Sequence, residues 1–390
     1  MRVCLDARCL RKTVTGLGRY AEQLIRGLAA IDRTTEYVVI LAKDYECQPV
    51  EQANFRIVRF GGRPDTLGNV LGGATKIAAL DADIFHSLHH FLPFGIRGRT
   101  VLTLHDFIWL DHPDLAYPNR WKGRLIQAYA SVALNYALRR ANHIVAISEY
   151  TAQRARDRMA PRVPEMSVIP HGVDERFHQA ARRHVSGFAT TEAPFFLVVG
   201  NSKPNKNVAR IVGVMALLVQ KVPEVKLRIV GRGEGYRELR SQVDSLGLTQ
   251  KVDFYGNVPD EELLDALQKA VALVFPSLVE GFGMPVLEAQ AVGCPVITSD
   301  RGVLPETAGD AALFVDPYDP WDIARAMETL YRDLPLRESM VRKGRERAAG
   351  FTWEETARRT RHVYNLVMGQ SLPEILPVRQ VLAPAAGVQA

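Results

Sequence analysis

The sequence of 390 residues has few cysteines, no long apolar stretch and no N-terminal leader pattern. No apolar run approaches the roughly 18 residues that a membrane-spanning helix needs. Asp6 and Arg8 interrupt the N-terminus too early for the apolar core of a signal peptide, so a cytoplasmic protein is expected. The cysteines stand apart without metal-ligand spacing, which argues against a disulfide framework or a zinc site. They are Cys4, Cys9, Cys47 and Cys294.

The charge balance is only mildly basic, with 49 Lys and Arg against 43 Asp and Glu. A surplus this small is typical of a solvated surface. A more specific interpretation of the basic surplus is that the protein contacts an anionic membrane surface or a lipid-phosphate acceptor. Nucleic acid is not an expected partner, because no helix-turn-helix, RNP or zinc-finger signature accompanies the charge. The hydrophobic fraction of 47% is that of a globular protein, and the length predicts two domains.

Short apolar runs rich in β-branched residues alternate with helical patterns along both halves of the chain. Unbroken apolar strands of this kind are typical of a parallel sheet covered by helices on both faces. The sequence therefore predicts an α/β protein with two doubly wound parallel sheets, separated by a polar, irregular stretch at about 174–193. Such sheets bind ligands at the carboxyl ends of their strands, so two facing sheets would form a ligand-binding cleft. The predicted strands are 38–41, 56–58, 83–86, 100–104, 143–146, 195–199, 226–230, 252–255, 272–275 and 295–298.

The most informative segment is 275–289, with the sequence FPSLVEGFGMPVLEA. It predicts a buried strand, a loop with Gly281 and Gly283, and a helix with proline in its first turn. The glycines permit close backbone approach, and a helix N-terminus attracts anions and hydroxyls. Eight residues of continuous helix span only about 12 Å, so Glu280 and Glu288 can both touch one extended ligand. Carboxylates accept paired hydrogen bonds from vicinal diols, which sugars and ribose present.

This segment resembles the Glu-x7-Glu signature of retaining glycosyltransferase family 4, whose members have the GT-B fold. The likeness extends over roughly residues 1–365 and is strongest to the branch that builds bacterial surface polysaccharides, including O-antigen mannosyltransferases. The other matching stretches follow in the family's order. They are Thr15–Tyr20, His105–Asp106, Ser148–Glu149, Val168–Asp174, Lys203–Asn207, Tyr255–Pro259, Leu304–Glu306 and Gly309–Ala312.

The resemblance implies two Rossmann-like domains that face an interdomain cleft. Residues 1–178 would form the acceptor side and 190–350 the nucleotide-sugar side, and a helix at 351–370 would cross back to the first domain. The tail at 373–390 has little to pack against a core, so we expect it to be flexible.

The resemblance also implies roles for individual residues. Glu280 would hold the donor sugar's hydroxyls, His105 would contact the donor sugar near its anomeric centre, and Lys206 would neutralise the diphosphate. Glu288 would hold the ribose. The other implied donor-binding residues are Gly16, Gly18, Asn201, Lys203, Arg232, Gly281, Phe282, Gly283 and Met284.

The chain departs from the family at the diphosphate site. Many members carry Arg directly after the strand-ending glycine, whereas here Asn201 follows Gly200, and Asn205 stands where Arg often precedes the lysine. A helix end stabilises a screened anion by only about 0.3 to 1 kcal/mol, so a departing diphosphate needs a fixed cation. We expect Lys203 or Arg232 to supply a second charge.

Three further patterns are interpreted as structural. Asp81-Ala82-Asp83 lies at the start of a predicted strand, whereas a metal-binding DxD motif follows the end of one. The glycine run 231–235 only approaches the dinucleotide pattern. The histidines of 86–90 have no carboxylate or thiol at ligand spacing, so no metal site is predicted.

The predicted function is transfer of a hexose, mannose from GDP-mannose, with retention and without a metal or other cofactor. The acceptor would be a saccharide or a lipid-linked saccharide in surface polysaccharide synthesis. The basic-ended helix at 121–140 is interpreted as packing on the core with a solvated face; the alternative is a peripheral contact with the inner face of the cytoplasmic membrane. Two alternatives stay open: a nucleotide-sugar epimerase of the same fold, and a nucleotide-sugar-binding protein without catalysis.

Overall fold

The computed structural model describes residues 1–12, 15–116, 120–161, 163–183, 193–233 and 235–370. The chain divides into two compact units. Of the described residues, the first contains most of 1–172 together with 352–370, and the second contains those of 173–351. The tail predicted at 373–390 lies outside the described residues, as does part of the predicted boundary.

The strands and helices alternate along most of the chain. The strands are β1 Arg2–Asp6, β2 Glu36–Ala42, β3 Phe55–Phe60, β4 Ile84–Ser87, β5 Arg99–Leu104, β6 His143–Ala146, β7 Glu165–Val168, β8 Phe195–Val199, β9 Lys226–Val230, β10 Val252–Gly256, β11 Ala272–Phe275, β12 Val296–Ser299 and β13 Leu313–Val315. The helices are α1 Gly16–Ile31, α2 Leu67–Ala78, α3 Ile108–Asp111, α4 Pro113–Ala116, α5 Arg120–Arg140, α6 Glu149–Met159, α7 Glu175–Arg183, α8 Val208–Leu218, α9 Tyr236–Ser245, α10 Asp260–Lys269, α11 Met284–Val292, α12 Leu304–Ala308, α13 Pro320–Arg332, α14 Leu334–Ala349 and α15 Trp353–Val367.

Each unit is built on one parallel sheet. Among the described residues, the first sheet has the order β3-β2-β1-β4-β5-β6-β7 and the second has β10-β9-β8-β11-β12-β13. All the strand pairings within them are parallel. In both sheets the chain starts near the middle and winds outward in two directions, the doubly wound arrangement that binds ligands at the carboxyl ends of strands. The prediction of two α/β domains is confirmed, and the cleft between them stays a prediction.

The last helix, α15, belongs to the first unit and packs along α1. Thr352 caps its N-terminus by accepting a hydrogen bond from the Glu355 N–H at 3.2 Å. The two helices approach closely at Gly27, where a Cβ would lie 2.9 Å from the Ala357 Cβ. The residue between β7 and the second unit, Gly172, also contacts this helix, because a Cβ there would lie 2.2 Å from the Trp353 N.

The stretch predicted as an irregular boundary at about 174–193 contains helix α7. The two units divide at 172–173, next to the start of that stretch. Helix α7 belongs to the second unit, where Phe177 is fully buried and the Gln268 side chain donates to the Ala180 carbonyl at 3.1 Å. The sequence of α7, ERFHQAARR, is mostly polar, so the buried Phe177 ring alone was not enough to predict a packed helix.

Three strands escaped prediction: β1, β7 and β13. Strand β1 ends in the fully buried Asp6, β7 has the mixed sequence EMSV, and β13 is only three residues long. Strands β1 and β7 lack the unbroken apolar run by which we recognised the others, and β13 is too short to stand out, so pairing with neighbouring strands decides their conformation.

Candidate active site

The loop between β11 and α11 carries the centre of the candidate site. Gly283 precedes α11 with φ +94°, in the left-handed region that favours glycine. A Cβ at Gly283 would lie 2.7 Å from the Leu304 side chain. Backbone conformation and close packing therefore both require glycine at the start of this helix, as the sequence predicted from the ligand side alone.

Lys206 and Glu280 meet in an ion pair at this loop. The Lys206 Nζ lies 2.7 Å from the Glu280 Oε1, and the two side chains are 18% and 10% exposed. The Nζ also lies 4.8 Å from the centre of the Phe275 ring, which adds a cation–π contact. The structure thus brings together the carboxylate predicted to hold the sugar and the cation predicted to face the diphosphate.

Two asparagines fix the lysine turn to the carboxylate loop. A 3-10 turn at Pro204–Lys206 follows β8. The Asn205 side chain donates to the Val279 carbonyl at 3.1 Å, and the Asn205 backbone carbonyl accepts from the Leu278 N–H at 2.8 Å. Asn207 donates to the carbonyls of Pro276 and Pro317 at 3.1 and 2.7 Å. The sequence analysis treated Asn205 only as the position where an arginine is missing, whereas the structure shows that it holds the loop. The two asparagines that flank Lys206 were the available signal for this role.

Glu288 is buried in α11, with 5% of its surface exposed. The helix around it is buried on nearly every side, from Val286 to Val292. A carboxylate in such surroundings costs free energy unless it is hydrogen-bonded, so a helix-surface role is excluded. Met284 begins the same helix and is half-buried.

A glycine surface lies at the ends of β8, β9 and β10. The backbones at Gly200 and Gly231 are so close that a Cβ at Gly231 would lie 1.8 Å from the Gly200 oxygen. The Lys206 side-chain carbons lie within 3.9 Å of a Cβ placed at Gly200, and the Arg232 Nε lies 3.8 Å from one at Gly256. Lys206 and Arg232 therefore lie beside neighbouring parts of one surface that carries no side chains.

The other predicted diphosphate residues contribute differently. Asn201 is half-buried, and its side-chain oxygen accepts from the Lys203 N–H at 3.1 Å, which closes an Asx-turn. Lys203 and Arg232 are exposed. Asn201 thus has a turn-forming role, while the two cations are accessible to a ligand.

His105 directly follows β5 in the first unit and is 4% exposed. Its Nε2 lies 3.1 Å from the Leu88 carbonyl, which can only accept, so the proton resides on Nε2 and Nδ1 remains an acceptor. Burial, followed by the neighbouring His90, lowers the pKa of His105 well below its usual value. The imidazole is neutral at pH 7. In this geometry the predicted contact with the donor sugar would use Nδ1 as a hydrogen-bond acceptor.

Gly16 and Gly18 lie in the first turn of α1 and differ in their surroundings. A Cβ at Gly18 would lie 3.3 Å from the Cys9 carbonyl, and the Gly18 N–H donates to the Thr15 cap at 3.3 Å. Nothing lies within 4 Å of a Cβ at Gly16, which is exposed. Gly18 is therefore needed for packing, whereas Gly16 leaves backbone accessible to a ligand.

Sequence reasoning missed a buried ion pair at the end of β1. The Arg8 guanidinium makes a bidentate contact with the Asp6 carboxylate, at 2.8 and 2.6 Å, and His89 Nε2 lies 3.3 Å from the same carboxylate. Burial alone would raise the pKa of Asp6, but Arg8 and His89 hold it well below the usual range. We had used Asp6 and Arg8 only to exclude a leader peptide. Their spacing, Asp-x-Arg at a strand end, was the available signal.

The patterns interpreted as structural have structural partners. The Asp83 carboxylate accepts from the Arg2 backbone N–H at 2.7 Å. His86 lies between the hydroxyls of Tyr364 and Thr103, at 2.7 and 2.8 Å. Within the described ranges, no three His, Cys, Asp or Glu side chains are grouped as metal ligands.

Two protein families match the chain in succession. Residues 14–177 match the family described as Glycosyltransferase Family 4, and residues 182–347 match the family described as Glycosyl transferases group 1. Together these matches extend over most of the chain.

Similar proteins include two O-antigen enzymes. The O-antigen chain mannosyltransferase B of Escherichia coli is 26% identical over 398 residues, which covers 94% of this chain and 100% of the relative. The O-antigen chain mannosyltransferase RfbU of Salmonella typhimurium is 25% identical over 332 residues, which covers 80% of this chain and 85% of the relative.

Solved structures show the same fold. WaaG, a glycosyltransferase involved in lipopolysaccharide biosynthesis, superposes with a TM-score of 0.73 and 15% identity, covering 95% of this chain and 100% of that one. HepE of Anabaena in complex with UDP-glucose gives a TM-score of 0.71 and 18% identity, covering 94% and 100%. With two parallel-sheet domains and family matches over both of them, the chain belongs to glycosyltransferase family 4 and is a glycosyltransferase of the GT-B fold.

Proposed function

We propose that this enzyme transfers mannose from GDP-mannose, with retention, to a saccharide or lipid-linked saccharide of a surface polysaccharide. The observation that carries the proposal is the Lys206–Glu280 pair at the N-terminus of α11. It combines a sugar-binding carboxylate with a cation suited to a diphosphate. The mannose assignment is supported by the two O-antigen mannosyltransferases, and a nucleotide-sugar donor by the UDP-glucose complex of HepE.

The donor's parts divide among the loops of the second unit. Glu280, with the N–H groups of Phe282 and Gly283, binds the sugar hydroxyls. The backbone of Gly281 and Met284 lines the same site, and Glu288 accepts from the ribose hydroxyls. Fixed groups aimed at the diphosphate stabilise its developing charge without reorganisation. They are Lys206, Lys203 and Arg232, with Asn201 shaping the turn.

The transfer follows a front-face course. The acceptor hydroxyl attacks the anomeric carbon on the side from which the diphosphate leaves, and its proton passes to the departing phosphate oxygen. The Lys206 cation stabilises the negative charge that develops on the departing phosphate as the carbon–oxygen bond breaks, so the proposed reaction requires neither metal nor cofactor. His105 Nδ1 accepts a hydrogen bond from a sugar hydroxyl. A covalent glycosyl-enzyme on Glu280 or Asp106, or activity abolished by EDTA and restored by a divalent cation, would contradict this course.

A thermal-shift panel tests the donor. The purified chain is mixed with GDP, UDP and ADP and with their sugars, and GDP and GDP-mannose are expected to raise the melting temperature most. Transfer of mannose to an α-mannoside acceptor, with the linkage determined by NMR, then tests retention. If another nucleotide raises the melting temperature most, the donor is a sugar of that nucleotide and not GDP-mannose. Conversion of GDP-mannose without an acceptor would favour the epimerase, and binding without turnover would favour the non-catalytic alternative; nothing in the relatives favours either.

We also propose that the first unit contacts an anionic membrane. Among the described residues, no helix is long and apolar enough to cross a bilayer. Large apolar side chains are nevertheless exposed on α2 and α5, and the Tyr129 hydroxyl ties α5 to the Asp65 carbonyl before α2 at 3.1 Å. The side chains of 120–122 in the predicted basic helix lie outside the described part. The exposed residues are Leu67, Leu71, Leu125, Ile126 and Val132.

Vesicle flotation tests this contact. We expect flotation with phosphatidylglycerol vesicles and little with pure phosphatidylcholine, because both apolar insertion and opposite charge are needed. Leu125→Asp should reduce flotation. Leu246→Asp, at an exposed leucine of the second unit, is the matched control. Flotation that does not depend on anionic lipid would refute the contact.

A further inference from the structure

Thr307 lies behind the sugar-binding loop, in the short helix α12. It is 1% exposed, and its hydroxyl donates to the Phe282 carbonyl at 2.5 Å. Leu304 of the same helix occupies the space beside Gly283. Helix α12 therefore forms the wall against which this loop is packed.

The carbonyl of Phe282 and the N–H of Gly283 belong to one peptide group. A hydrogen bond to the carbonyl polarises the group, so its N–H becomes a stronger donor, by roughly 10 to 30% per bond in condensed-phase estimates. Gly283 is buried and directly precedes α11, so its N–H is one of the donors at the start of a helix that have no acceptor within that helix. Buried backbone donors almost always have a partner, so this N–H is suited to a ligand.

Helix α12 is itself held in place from behind. The Arg347 guanidinium of α14 donates to the carbonyls of Glu306 and Thr307, at 2.5 and 3.3 Å. The Gln290 side chain of α11 donates to the Ala308 carbonyl at 2.8 Å. Because the backbone of Thr307 is fixed on both sides, its hydroxyl has a defined direction toward the loop.

We propose that Thr307 is a positioning residue, whose hydroxyl orients and polarises the Phe282–Gly283 peptide so that the Gly283 N–H binds a hydroxyl of the donor sugar. This inference rests on the proposed function, because it takes the loop to be the sugar-binding element. It predicts a contribution to the sugar part of the donor and none to the nucleotide part.

The test compares Thr307→Val with Thr307→Ser. Valine retains the shape but has no hydroxyl, whereas serine retains the hydroxyl. Dissociation constants of GDP-mannose and GDP are measured by calorimetry, and UDP-glucose with UDP serves as a second pair. We expect Thr307→Val to weaken binding of the nucleotide sugar about five- to tenfold, while the affinity for the nucleotide alone stays within about twofold. Thr307→Ser should restore the sugar contribution.

The outcomes separate this inference from the proposed function. Retained nucleotide binding shows that the valine variant is folded. An equal loss for nucleotide and nucleotide sugar, or no loss for either, overturns the role of Thr307 alone. If valine prevents folding, a serine variant that binds nucleotide normally and the nucleotide sugar weakly would equally overturn it. If the unaltered chain binds neither pair, the proposed function fails and this inference fails with it.

Discussion

At the scale of single residues, the proposed chemistry depends on the Lys206–Glu280 pair. Both side chains are largely buried and lie 2.7 Å apart. Removing one partner from such a pair leaves the other charge without compensation, so its loss affects more than one contact. A bound donor would enter between these charges and use each of them for a different part of itself.

Substitution of the two glutamates should separate sugar binding from nucleotide binding. Glu280→Ala should lower kcat by about 100-fold or more while the GDP affinity is largely kept, since an interaction specific to the reacting sugar is lost. Glu288→Ala should weaken GDP binding by about tenfold or more, because a carboxylate–ribose contact is lost. Steady-state kinetics and calorimetry measure both. Equal effects of both changes on kcat and on GDP affinity would contradict these roles.

Lys206→Met should weaken GDP binding by about tenfold or more, because the fixed positive charge facing the diphosphate is removed. Lys206→Arg should retain part of the affinity. Lys221→Met is the matched control, since Lys221 also lies 2.6 Å from a carboxylate, Glu328, but is 53% exposed. An equal effect of both methionine variants would show that charge in general, and not Lys206, is responsible.

At the scale of elements, the contacts of α15 complete the first unit. Trp353, Ala357, Val363 and Tyr364 are buried on this helix. Gly172 lies against its first residues with no room for a side chain. The helix stands far from α1 in sequence, so burial of its apolar face depends on the chain's return to the first unit.

Gly172→Ala should destabilise the protein by about 2 to 3 kcal/mol, because the new Cβ would lie 2.2 Å from the Trp353 N and 2.4 Å from the Thr352 C, both backbone atoms. Gly72→Ala in α2 is the control. Nothing lies within 4 Å of a Cβ there, and alanine in a helix is favoured over glycine by about 0.5 to 1 kcal/mol. The melting temperature should therefore fall for Gly172→Ala and rise for Gly72→Ala. A Gly172→Ala variant as stable as the parent would refute the packing at α15.

At the scale of the whole molecule, buried histidines link stability to pH. Burial lowers the pKa of His86 and of His90 to about 3 and that of His143 to about 4. Unfolded histidine takes up a proton below about pH 6.5. The unfolded state therefore binds more protons than the folded state between these values, so stability is full above pH 7 and falls as the solution is acidified.

Each of these histidines should lower the free energy of unfolding by about 2 kcal/mol between pH 7 and pH 5. Urea unfolding at the two pH values measures the total. His86→Gln should reduce the pH dependence by about one histidine's share, whatever it does to stability at pH 7. His112→Gln, at an exposed residue, is the control. An unchanged pH dependence in His86→Gln would contradict the burial of a neutral imidazole at this position.

Much of the fold follows from local pattern. Strands such as β8 and β11 are apolar throughout and buried, and short runs of this kind are visible in sequence because both faces of a parallel sheet are covered. The glycines and carboxylates of 280–288 likewise stand close together in the chain, so their shared chemistry is visible without coordinates. Fold class, family and the carboxylate loop were all accessible in this way.

Long-range contacts decided the rest. Lys206 meets Glu280 across 74 residues of sequence, and Thr307 reaches Phe282 across 25. Neither contact has a periodicity or spacing that sequence could reveal. The neutral state of His105 and the end of β1 in a buried ion pair also depend on groups brought together by folding. The sequence by itself determined most of the strands and helices, because local burial patterns and turn residues are encoded side by side. Only the tertiary structure decided the missed strands and which charges meet, because those depend on distances between segments remote in the chain.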